Sequence, residues 1–159
     1  VTLVALLLAD MVNVGDVGDS GATVAREGIN LPLTTGEMYR LDEQPQSLTV
    51  VNFFATWCPP CKAEMPHLQS FAEDLPSGVA LVGVNLTDRD DGVAALADFM
   101  ETYEVTYPIL LDETDAVGTE FKVMSIPTTV LLNAQGEELE RIVGPVSEDA
   151  LRSFVRKYE

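Results

Sequence analysis

The segment Leu48 to Phe54, LTVVNFF, is an almost unbroken apolar run that ends four residues before Cys58 and leads directly into a helical pattern. A strand with so little polar alternation has to be covered on both faces, which restricts the fold to a sheet sandwiched between other elements. Residues 79–86, VALVGVNL, repeat the pattern. Between the two runs, from Pro59 to about Asp74, Met65, Leu68, Phe71, Ala72 and Leu75 recur at helical spacing. Pro59 and Pro60 stand where a first helical turn tolerates proline, and Pro66 is predicted to kink the helix.

The rest of the chain extends this alternation. INLPL, TTGE and MYRL read as two short strands around a turn at Gly36. DGVAALADFMETY reads as an amphipathic helix with Asp90 or Asp91 as its N-cap. YPILLD is a third buried strand and ETDAVGTEF a short helix. PTTVLL, NAQG and ELERIV form a hairpin, and Ser147 caps a final helix, EDALRSFVRKY, whose acidic first turn and basic last turn suit the helix dipole. The expected fold is α/β, a mixed central sheet with helices on both faces.

At 159 residues the chain has room for one core, assigned to residues 26–159. Residues 1–25 read as a separate N-terminal segment. Its opening VTLVALLLAD fits either the remnant of a signal or anchor that began upstream of Val1 or a short amphipathic helix, and residues 12–24 read as a linker. The 26 acidic residues against 9 Lys plus Arg give a net charge of −17. That excess excludes nucleic acid and anionic lipid as partners, since phosphate binding needs clustered cations.

The chain has two cysteines, Cys58 and Cys61. Zinc needs four ligands, and the single histidine, His67, sits on the same helix with no second cluster to complete a tetrahedron. A structural staple closing so small a loop stabilises little. Redox exchange fits better, because a helix N-terminus favours thiolate over thiol at its cap. Cys58 is then the nucleophile, and Cys61, one turn on, the resolving thiol.

The segments FFATWCPPCKAEMP and SIPTTVLLNAQGE, in this order of elements, resemble the thioredoxin superfamily, and within it the TlpA/ResA-type thiol-disulfide oxidoreductases. The resemblance covers roughly residues 26–159. It implies a thioredoxin-like fold with an N-terminal β-hairpin and a central helix-strand insertion, here DGVAALADFMETY plus YPILLD. It also implies that Pro127 of Ile126-Pro127-Thr128 is a cis-proline beside the cysteines, and that Trp57, Pro59, Ile126 and Pro127 bind substrate. Asn52 replaces the buried Asp that cytoplasmic thioredoxins carry six residues before the nucleophile. Glu64 matches the helix glutamate of TlpA/ResA-type proteins and becomes the expected proton acceptor.

The function the resemblance implies is reduction of disulfides in selected extracytoplasmic proteins, with apocytochrome c as precedent and electrons from a membrane thiol-disulfide donor. The expected protein is a monomer working in the periplasm or on the outer face of the membrane. It needs no metal and no cofactor beyond the redox-active Cys58–Cys61 disulfide. Two other readings are a peroxiredoxin-like peroxidase and a binding or chaperone module with a passive disulfide. The peroxidase reading lacks the upstream proline and hydroxyl spacing of a peroxidatic cysteine.

Overall fold

A computed structural model of the chain describes residues 28–159, so the separate N-terminal segment read from the sequence lies outside the described residues. In chain order the elements are β1 (Asn30–Pro32), β2 (Met38–Arg40), β3 (Leu48–Phe54), α1 (Pro59–Glu73), β4 (Val79–Asn85), α2 (Val93–Thr102), β5 (Ile109–Leu111), α3 (Ala116–Glu120), β6 (Thr128–Asn133), β7 (Glu138–Val143) and α4 (Glu148–Arg156). The fold is thioredoxin-like. Strands β5, β4 and β3 run parallel, and β6 and β7 continue the sheet antiparallel, in the order β5-β4-β3-β6-β7. The inserted pair α2 and β5 extends one edge of this sheet, and the hairpin β1–β2 is tied to it through a bridge between Leu33 and Leu110.

All seven residues of β3 are buried, as a central strand with both faces covered requires. Leu48, Val50 and Phe54 point into the core under α1, α2 and α4, where Phe54 stacks on Phe99 at 5.4 Å between ring centroids. Val51 and Phe53 point the other way, into a second core with Leu31, Leu41, Val117 and Phe121 from the hairpin and α3. The same alternation puts Asn52 on the α1 side, at full burial.

Helix α1 continues through Pro66 as one element. Pro66 and Lys62, whose carbonyl loses its helical donor, both lie on the exposed side. Helix α4 is capped as read from the sequence, with Ser147 Oγ accepting from the Ala150 N–H at 3.1 Å. Helix α2 is not. Its N-cap is Gly92, at φ 100°, with no side-chain cap, because the Asp90 carboxylate is turned back towards Thr56. Among the described residues no helix is long and apolar enough to cross a membrane.

Candidate active site

Strands β3 and β4 are parallel neighbours that end in register, Phe54 opposite Asn85, so the loops that leave them emerge together. The sheet's C-terminal edge is where open α/β folds build their sites. The loop after β3 delivers Cys58 as the N-cap of α1, in extended backbone, with Pro59 and Pro60 opening the helix. Cys58 Sγ accepts from the Cys61 N–H at 3.3 Å, and the two cysteines are joined as a disulfide with Cα atoms 5.2 Å apart. Cys61 is fully buried and Cys58 nearly so. A sulfur that fills the cap position meets unpaired N–H groups and the positive end of the helix dipole, both of which stabilise a thiolate after reduction.

The antiparallel pairing of β3 with β6, Phe53 opposite Thr128, brings the turn before β6 beside the cysteines. The Ile126–Pro127 bond is cis. Cys58 Sγ lies 3.8 Å from Ile126 O. The Thr128 hydroxyl donates to Ser125 O at 2.6 Å, and the Gly144 N–H donates to Pro127 O at 2.8 Å, which fixes the turn on both sides. A cavity of about 390 Å³ opens here, walled by Cys58 with Trp57, Pro59, Arg89, Met124, Ser125 and Ile126. Pro127 itself is buried beneath the turn and is not part of that wall. Trp57 and Met124 are exposed, Met124 at 90%, so the rim of the cavity is apolar in a strongly acidic chain.

Glu64 is one helical turn beyond Cys61 and only 1% exposed. Its Oε1 accepts from Asn52 Nδ2 at 2.7 Å and its Oε2 from the Val146 N–H at 3.1 Å. Burial pushes its carboxyl up to about 7, against the pull of the two hydrogen bonds. Asn52 Nδ2 also reaches Thr129 Oγ1 at 3.2 Å. The buried Tyr107 phenol is pushed up by its own burial and by the Glu64 charge. A carboxyl poised near neutrality beside a buried thiol has the properties of a proton acceptor.

The structure therefore gathers Trp57, Cys58, Pro59 and Ile126 around one opening, while Cys61 and Glu64 are buried on α1 and lie outside its wall. His67 is exposed on α1 and outside this group. Among the described residues no three His, Cys, Asp or Glu side chains are grouped to hold a metal ion. Sequence reading missed Arg89, Met124 and Ser125 in the cavity wall. It also missed Asp90, which holds Thr56 from 34 residues away. Ser125 adjoins the Ile126-Pro127 motif, whereas nothing local around Arg89 and Asp90 points to the site.

A capped cysteine pair at the start of the helix after a central strand, facing a cis-proline turn, defines a thiol-disulfide oxidoreductase on a thioredoxin-like fold. Residues 24–137 match the AhpC/TSA family, and the chain belongs to it. The sequence is 36% identical over 110 residues to sporulation thiol-disulfide oxidoreductase A of Bacillus subtilis, covering 69% of this chain and 67% of that one. It is 37% identical over 108 residues to thiol-disulfide oxidoreductase ResA of Oceanobacillus iheyensis, covering 67% of this chain and 54% of the relative. The crystal structure of StoA from Bacillus subtilis superposes with a TM-score of 0.73 at 34% identity, covering 79% of this chain and 94% of that one. The protein is a thiol-disulfide oxidoreductase of the ResA/StoA type.

Proposed function

We propose that the protein acts as a reductant of selected protein disulfides outside the bacterial cytoplasm, with apocytochrome c as the substrate the ResA-type resemblance suggests. The observation that carries the reading is the position of Cys58 Sγ, capped by the Cys61 N–H and 3.8 Å from Ile126 O at the mouth of an apolar-rimmed cavity. Cys58 thiolate attacks one sulfur of the substrate disulfide. The substrate S–S bond breaks, and its other sulfur leaves as a thiolate that takes up a proton. Trp57, Pro59 and Ile126 hold the substrate segment, with Pro127 keeping the turn in place. Cys61 then gives its proton to Glu64 and attacks Cys58 Sγ, which expels the reduced substrate and closes the Cys58–Cys61 disulfide. Two electrons have passed to the substrate, and a membrane thiol-disulfide donor restores the dithiol. The protein works as a monomer and needs no metal or other cofactor.

The order of attack is tested by trapping. Cys61→Ser, reduced and mixed with a disulfide-bonded peptide, is expected to accumulate a mixed disulfide on Cys58, whereas Cys58→Ser forms none. Mass spectrometry of the adducts reads the result. A stable adduct on Cys61 in Cys58→Ser, with none on Cys58 in the converse variant, overturns the assignment.

A further inference from the structure

The loop that follows β4 is bound to the loop that carries Cys58, and the binding runs through Asp90. Each oxygen of its carboxylate accepts two hydrogen bonds. Oδ2 takes the Thr56 N–H at 2.8 Å and Asn85 Nδ2 at 2.7 Å, while Oδ1 takes the Thr56 hydroxyl at 2.5 Å and the Asp91 N–H at 2.7 Å. The preceding residue holds the next link, since the Trp57 indole N–H donates to Arg89 O at 2.9 Å. Arg89 is itself held by Asp115, at the start of α3, through an ion pair of 2.6 Å. Trp57 is half exposed, and this hydrogen bond ties its ring to the β4 loop at the cavity wall.

We propose that Asp90 is a positioning residue of the exchange reaction, holding Thr56 and, through the adjoining Arg89 carbonyl, the Trp57 wall against which a substrate segment docks. The geometry leaves the carboxylate no spare acceptor capacity that a neutral side chain could match. Burial pushes its pKa up, but the hydrogen bonds from Thr56, Asn85 and Asp91 outweigh that and keep it below the usual carboxylate value. An amide has one acceptor oxygen in place of two, so Asp90→Asn leaves donors around Thr56 unpaired. The consequence falls on docking more than on sulfur chemistry, because Asp90 touches neither cysteine in its hydrogen bonds.

The inference rests on the reading of Trp57 as a substrate wall, and the test separates the two. Trp57 is the only tryptophan in the chain, so its fluorescence reports the tether directly. In Asp90→Asn, emission is expected to shift to the red and anisotropy to fall. The KM for a disulfide-bonded peptide is expected to rise about tenfold, the scale of one charge-assisted hydrogen bond. Exchange with a small aromatic disulfide, which needs little of the wall, falls by less. Trp57→Ala, measured in parallel, raises the same peptide KM. If Trp57→Ala leaves that KM flat, the wall reading fails and the inference with it. If Trp57→Ala raises it while Asp90→Asn changes neither KM nor emission, or depresses both disulfides equally, the inference alone is overturned. Should Asp90→Asn not fold, Thr56→Val, which removes one of the four bonds, is expected to give the same shifts in smaller size, and unchanged emission and KM in that variant overturn the proposal.

Discussion

Glu64 sits in an environment far from that of an ordinary glutamate. Its pKa is raised from 4.5 to about 7, first by burial, so the charged form is the one the folded state disfavours. The proton is bound more tightly in the folded protein than in the unfolded chain. Stability associated with the neutral carboxyl is therefore fully present below about pH 4.5 and is lost as pH rises through 7, an effect of roughly 3 kcal/mol across that window. Glu64→Gln removes the titration. Denaturant unfolding of the oxidised protein at pH 4.5 and pH 8 is expected to show the wild type losing ground to the variant at the higher pH. Parallel changes in the two proteins contradict a raised pKa at Glu64. Asn52 fits the same chemistry. It donates to the Glu64 carboxylate from a fully buried position, where an Asp would set a second negative charge against it.

Element packing explains why β4 carries a glycine in its middle. Gly83 pairs with Asn52 of β3 on one side and Ile109 of β5 on the other. A Cβ there would stand 2.6 Å from Ile109 Cδ1 and 3.2 Å from Phe54 Cε1, both in the buried core beneath α1 and α2. Gly83→Ala is expected to cost about 1–3 kcal/mol, seen as a lower midpoint in thermal unfolding, and an unchanged midpoint contradicts the close packing of β4 against β5. The elements themselves were legible. LTVVNFF, VALVGVNL and the apolar stripe after Pro59 are long enough for their periods to decide, and Gly36 and Ser147 carry local signals for a turn and a cap. Asp90 was misread because the capping rule weighs only neighbours in sequence. An Asp three residues before α2 suits a cap, yet its oxygens are taken by Thr56, 34 residues back. The partners of Glu64 escape for the same reason: Asn52 is 12 residues away and Val146 is 82. The cysteine pair, Trp57 and the Ile126-Pro127 turn could be read because they form short contiguous motifs. Arg89 and Met124 could not, since only the meeting of separate loops makes them neighbours of Cys58.

For the molecule as a whole, charge and site lead to one expected direction of electron flow. A strong oxidant is a protein whose reduced, thiolate form is stabilised, which makes its disulfide easy to reduce. Here the helix cap favours the Cys58 thiolate, but a buried carboxyl lies one turn beyond Cys61 and the chain carries a net charge of −17. The charged fraction of that nearby carboxyl disfavours the thiolate and so stabilises the disulfide relative to the dithiol, whereas the distant surface charges are largely screened. The reduction potential of the Cys58–Cys61 pair, obtained by equilibrating the full chain in dithiothreitol buffers at pH 7 and counting free thiols by alkylation, tests this most directly. A dedicated reductant gives a value near about −270 mV. A value near about −120 mV, that of a strong disulfide donor, contradicts the assigned direction.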